Sequence, residues 1–352
     1  MTDTQQQGTK ELRPVSGTLR ERKQAVALIA PPDGAGPSQA EKLPCDPLVP
    51  TIFHEPWWLD IVTGGQYGVA EMREHGKVVG QLPYFLRKRL GITYSMLPPM
   101  THFLGPAIVE GDGPPATRFL RRLNVTRELI RQLPPASVYR YKCHRDITDT
   151  LAFQQERFMT AVQYTHEIAP DTVDNLWKNL RSEKRKKIRQ AERVLTVEDI
   201  VDPGEFWRLY DTNLRKRNIT NICDERMCST LVAACLERNR GRIHAVRDQN
   251  KTIVAAVFCI WDATASYYFM STRTDGAHHG AISLLAWEGM KDAAALGLIF
   301  DLDGVYNAKS VLFFTEFGGV VQPRYIVTRA TGAGGLALAA RDMFRGNRFF
   351  FS

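Results

Sequence analysis

No stretch of this 352-residue chain approaches the ~20 consecutive apolar residues that a membrane-spanning helix needs. The longest apolar run, Thr252 to Trp261, has the length of a strand. A secretory signal is missing as well. Residues 1–24 are polar, and the short apolar run from Ala25 to Ala30 stops at Pro31 and Pro32. Six cysteines (Cys45, Cys143, Cys223, Cys228, Cys235, Cys259) form no Cys-x-x-Cys pair and no zinc-like spacing with histidine. A metal site is therefore not expected, and the thiols read as buried and reduced in a cytoplasmic protein. No serine or cysteine stands in the setting of an activated nucleophile, which disfavours a covalent enzyme intermediate. An acidic excess is also absent. What remains, 44% hydrophobic and 24% charged residues, is an ordinary globular composition with ample length for a core.

The net charge of +8 is concentrated. Lys178, Arg181, Lys184, Arg185, Lys186, Lys187, Arg189 and Arg193 lie in one segment with only Glu183 and Glu192 against them. Such a run suits a phosphate-bearing ligand, a tRNA or CoA among them, or else forms a solvated helix face. Val173, Trp177, Leu180, Ile188 and Ala191 mark an apolar stripe at helical spacing, and Lys184 falls on it. A lysine there either snorkels past the core or points into a cleft holding an anion.

Punctuation divides the chain. Residues 1–49 read as a disordered or loosely attached arm. An N-terminal α/β unit spans 50–168, a second with a basic entry helix spans 169–330, and a helical tail spans 331–352. Helices are expected at Pro56–Val62 and at about Pro115–Gln132. Strands are expected at Val138–Lys142 and Thr160–Glu167, with a hairpin turning at His75-Gly76-Lys77. Val69 to Leu82 and Ile243 to Ala256 share a strand–turn–strand pattern, each after a helix, which suggests a duplicated unit.

The segment from Gly280 to Gly319 carries the most information. A helix opens at Gly280, a short apolar strand ends in Phe300-Asp-Leu-Asp-Gly304, and a second helix runs into Phe313-Phe-Thr-Glu-Phe-Gly-Gly319. Together with the Trp57-Trp58-Leu59 helix, the Pro98-Pro99 to Gly105-Pro106 passage and the basic helix Leu180–Ala191, it resembles the FemAB-like branch of the GNAT acyltransferases over roughly residues 52–330. The resemblance implies tandem GNAT-like domains, each a mixed, mostly antiparallel sheet flanked by helices. It also implies transfer of an aminoacyl or acyl group from aminoacyl-tRNA or acyl-CoA, as co-substrates, to an amine on a glycan precursor, peptide or specialised metabolite. An acetyl-CoA-dependent enzyme of exopolysaccharide metabolism is the alternative. A non-catalytic nucleic-acid-binding or scaffold protein is a further one. No tightly bound cofactor and no integral membrane association is expected, and a homodimer is allowed.

The chain departs from that family at one point: Phe314 stands where the pattern has a lysine. Arg324, Lys309 or the basic helix is left to supply the missing cation. The Ala277-His278-His279-Gly280 text also carries only part of a pyrophosphate-binding loop, with Arg273 upstream as a compensating cation.

Acyl transfer to an amine needs a proton acceptor, a partner for the oxyanion and groups that orient both substrates. Asp301 and Asp303 alternate about Leu302, so in a regular strand both face one side. One then binds the amine and the other acts as base, unless Asp303 serves the turn. Tyr306 is a candidate proton donor to the leaving group, and Asn307 lines the same cleft. Only one of Tyr267 and Tyr268 can face it, with Tyr268 the candidate. Lys184, Arg185, Arg189, Arg273 and Gly280 complete the substrate-binding set. His102 reads as a structural histidine, with a place in the acceptor groove as the alternative.

Overall fold

A computed structural model describes residues 43–332 apart from 222 and 305–307, together with residue 335. Of Ala308 and Lys309 only the backbone is described. Most of the expected arm and tail thus lies outside the described residues, as do Tyr306 and Asn307.

The first half supplies α1 (Pro56–Thr63), β1 (Gly68–Glu74), β2 (Lys77–Tyr84), β3 (Leu86–Arg89) and β4 (Ile92–Met96). It continues with β5 (Ala107–Ile108), α2 (Pro115–Arg131), β6 (Val138–Lys142), α3 (Leu151–Gln155) and β7 (Met159–Ile168). The second half opens with α4 (Val173–Asn179), α5 (Ser182–Glu192), β8 (Thr196–Asp199), α6 (Pro203–Lys216) and α7 (Glu225–Glu237). Then follow β9 (Gly241–Arg247), β10 (Ile253–Trp261), β11 (Ala265–Arg273), α8 (Ala281–Ala295), β12 (Ile299–Asp301), α9 (Ala308–Thr315) and β13 (Val320–Ala330).

Local chemistry explains many of the boundaries. Pro56 starts α1 with its φ already helical, and Gly64 ends it in the left-handed region at φ 64°. Asp202 caps α6 by accepting from the amides of Gly204 and Glu205. The β1–β2 hairpin turns on His75 and Gly76 with φ of 49° and 80°, as a two-residue turn of primed type requires. The basic segment departs from the single helix its stripe predicts. Leu180 and Arg181 are extended, and Arg185 turns back to donate to the carbonyls of Lys178 at 2.7 Å and Leu180 at 2.8 Å. Its guanidinium thereby takes over the free carbonyls at the end of α4.

Strands β1, β2 and β5 form a small sheet; the other ten form a large one in the order β3-β4-β6-β13-β7-β12-β11-β10-β9-β8. The large sheet is mixed, with β4–β6 and β11–β12 parallel and its other pairs antiparallel. Its order mirrors itself about the β13–β7 pair. Helix α2 crosses over between β4 and β6, and α8 does so between β11 and β12. The C-terminal strand β13 then pairs with β6 of the first half, while β7 pairs with β12 of the second. The halves have exchanged a strand. The two hairpins seen in sequence are β1–β2, which lies in the small sheet, and β9–β10, which lies in the large one. The fold is mixed α/β.

Helices cover both faces of the second half. Val257 and Cys259 of β10 pack with α5 and α8, while Phe258 and Ile260 pack with α1, α6 and α7. A strand buried on both faces reads as a continuous apolar run, which is what Thr252–Trp261 is.

Candidate active site

The carboxyl ends of β6 and β12 converge on one another across the β7–β13 pair. Clefts at such points, where strand order reverses, are where open α/β sheets hold their ligands. Here the inward residues are charged. Arg324 on β13 donates to Glu167 on β7 and, at 2.9 Å, to Asp301 at the end of β12. Arg145, just past β6, donates to Glu167 at 2.6 Å and lies 3.6 Å from Asp301. Thr165 donates to the other oxygen of Asp301, as does the Asp303 amide at 2.8 Å. Burial pushes the Asp301 carboxyl up, but Arg324 and Arg145, with these hydrogen bonds, outweigh it and hold the group below the ordinary carboxylate range.

Asp301 has no accessible surface. Both of its oxygens are already engaged, so it anchors the cluster rather than presenting a base to solvent. The expectation that both carboxylates share a regular strand face also changes. Strand β12 ends at Asp301, and Asp303 lies in a turn at φ 50°, which aspartate tolerates better than most residues.

Asp303 meets a residue that the sequence reading set aside. The Nδ1 atom of His102 lies against the Asp303 carboxylate, and Lys142 Nζ lies 3.8 Å from the same group. Strands β11 and β12 pair only from Ala265–Ile299 to Tyr267–Asp301 and then part, β11 running on to Arg273. His102 bridges the opening. Its ring stacks on Phe53 at 5.4 Å and lies 4.6 Å from Phe269 of β11, with Asp303 on the other side. The side chain keeps 23% of its surface exposed. Burial lowers the Lys142 ammonium, with Asp303 and Asp301 opposing, and its Nζ sits 4.6 Å over the Phe103 ring. A histidine whose orientation is fixed by a carboxylate, and which keeps part of its surface exposed, is a suitable proton acceptor.

The other expected residues fall in different places. Tyr267, paired with Asp301, is the tyrosine on the side of the charged cluster, and it donates to Asp262 at 2.7 Å. Tyr268 faces the opposite layer, 6.3 Å from the Phe314 ring. Lys184 does not reach solvent or an open cleft. It is fully buried, 3.0 Å from Glu316 and over the rings of Phe313 at 3.7 Å and Phe317 at 4.2 Å. Burial lowers its ammonium to about 8, against the pull of Glu316. Helix α5 thus lays a buried ammonium against Phe313 and Phe317, while Arg324 is committed to the cluster.

Arg185 is spent on α4, and Arg189 is exposed with its guanidinium 5.4 Å from the Trp177 ring. Arg273 is exposed at the end of β11. Gly280, at the start of α8, packs on α5 so tightly that a Cβ would collide with the Lys187 carbonyl. Helix α5 therefore occupies the end of α8 that the sequence offered to a pyrophosphate. His278 accepts from the Gly280 amide at 3.1 Å.

Sequence reasoning missed Lys142, Arg145, Thr165 and Glu167. The one local signal was Gln163, Thr165 and Glu167, three polar residues at period two on a strand that buries all three.

Comparison with known proteins gives the class. Residues 178–307 match the family described as "Acetyltransferase (GNAT) domain". That match covers part of the second half of the chain, and the fold of the whole is similar to that of FemX. The similarity to FemX has a TM-score of 0.56 and 13% identity over 77% of this chain and 90% of that one. It is similar also to the C-terminal domain of a putative lysylphosphatidylglycerol synthetase from Agrobacterium fabrum, at 0.55 and 14% over 83% and 93%. No curated protein matches the chain by sequence.

Proposed function

We propose that this protein is an N-acyltransferase in which His102, oriented by Asp303, takes the proton of the acceptor ammonium. The observation that carries the reading is the His102–Asp303 pair at the opening between β11 and β12. The acceptor amine loses its proton to Nε2 of His102, and the neutral amine attacks the donor carbonyl. Collapse of the tetrahedral intermediate breaks the carbonyl bond to the donor oxygen or sulfur. The attacking nitrogen gives up its second proton to the leaving group as the amide forms, and His102 releases the first to solvent, which restores the base. Lys142 is the cation beside Asp303 that balances its charge through the cycle.

Between donors, aminoacyl-tRNA is the better supported. Helix α5 covers the start of α8, and Lys178, Arg181, Lys186, Arg189 and Arg193 are exposed on the basic segment with no ion pair among the described residues. A polyanion binding there would release counterions, so its affinity would fall steeply with salt.

The test is turnover of an amine panel with charged tRNA and with acetyl-CoA, in wild type, His102→Gln and Asp303→Asn. The expected result is activity with charged tRNA, a loss of about 10²–10⁴ in kcat for His102→Gln, and unchanged donor binding. A His102→Gln protein with wild-type turnover would sink the assignment of the base. Turnover with acetyl-CoA alone would overturn the donor.

A further inference from the structure

Beside the His102 segment lies an open groove of about 380 Å³ that neither the charged cluster nor the basic helix explains. Val62, Thr63 and Gln66 from the end of α1 form one wall, Phe85 to Lys88 the other, and Pro99 closes it. Of its lining residues Val62, Thr63 and Phe85 are buried, while Arg87 and Lys88 are exposed. No carboxylate lines it.

Arg87 and Lys88, like Lys77, Arg89 and Arg157, have no carboxylate partner among the described residues. In the first half of the chain Arg73, Arg118, Arg121, Arg122, Arg127 and Arg131 each have a carboxylate within an ion-pair distance. Charges on an edge strand such as β3 discourage pairing with another sheet, and exposed Arg89 meets that need without touching the groove. Arg87 and Lys88 differ in lining a concavity that also takes in Thr63 and Gln66. Such a lining fits an anion attached to an apolar or sugar-like body.

We propose that this groove holds the anionic end of the amine acceptor, a phosphate or carboxylate, while its amine reaches His102. The inference rests on the acyltransferase reading above. Chain geometry links the two places: Pro99 is three residues from His102, a separation of about 10 Å at most.

The experiment is calorimetric titration at low ionic strength with inorganic pyrophosphate and, separately, with succinate. It uses wild type, Arg87→Ala/Lys88→Ala, Arg89→Ala and His102→Gln. A phosphate-bearing acceptor predicts binding of pyrophosphate over succinate; a carboxylate-bearing one predicts the reverse. In either case the double variant weakens binding about tenfold or more, whereas Arg89→Ala and His102→Gln leave it unchanged. Equal binding by the double variant, equal loss in Arg89→Ala, or no binding of either anion by wild type would overturn the groove. None of these readouts depends on turnover, so the groove can fail while the acyltransferase reading stands, and the reverse.

Discussion

Two aspartates two residues apart do different work. Asp301 is sealed against Arg324, Arg145 and Thr165, and removing its charge leaves two buried guanidinium groups with Glu167 alone. Breaking a buried ion pair on one side costs about 3–5 kcal/mol. Asp301→Asn is therefore expected to lose stability on that scale in urea denaturation, whereas Asp303→Asn keeps the fold and loses turnover. The sign of the pH effect follows from the same contacts. The Asp301 carboxyl is held below its ordinary range, so its contribution is present above the unfolded carboxylate pKa of about 3.9 and is lost as pH falls below it.

At the level of elements, His244 ties three of them together. From β9 it meets Asp199 of β8 at 3.0 Å and Asp292 of α8 at 2.6 Å, and Arg242 bridges the same two carboxylates. Burial opposes its charge, but the two aspartates win and raise it to about 9. A folded value above the unfolded 6.5 means stabilisation that is complete below pH 6.5 and lost as pH climbs through 9. The full effect is about 3 kcal/mol. Thermal melts from pH 6 to 10 should show Tm falling across that window in wild type, and the fall should be much reduced in His244→Gln.

Elements set by local chemistry were legible from sequence: α1 from Pro56, the hairpin from His75-Gly76, β10 from its apolar run. Those set by distant partners were not. The α4–α5 break carries no proline or glycine and depends on where Arg185 folds back. The β10–β11 register is irregular near Phe258 and Cys259, and of the two tyrosines the sequence favoured Tyr268, whereas Tyr267 lies on the side of the cluster. Asp301 and Asp303 were found as a pair. Their partners come from β6, β7, β13 and the His102 segment, more than a hundred residues from the aspartates except for β13, and no local pattern marks them.

For the whole molecule, the exchanged strand is decisive. A fragment of residues 43–170 has β6 and β7 but lacks β13 between them, and one of residues 171–335 has β12 without β7. Each should be insoluble or unfolded when made alone, and the two should recover a folded complex when made together. Independent folding of either fragment, seen as a dispersed NMR spectrum, would contradict that expectation. Gly319 shows how closely the exchange is fitted. It sits at φ 87°, and a Cβ there would collide with the Glu167 carbonyl, so the chain entering β13 needs glycine to lie against β7.

That late strand also sets a schedule for the ribosome. At roughly 5–20 residues per second, β7 is made on the order of ten seconds before β13. Until then β6 and β7 flank an empty slot, and the nascent chain carries two open sheet edges of the kind that recruit other chains. The newborn protein is safest in the company of chaperones until its last strand arrives.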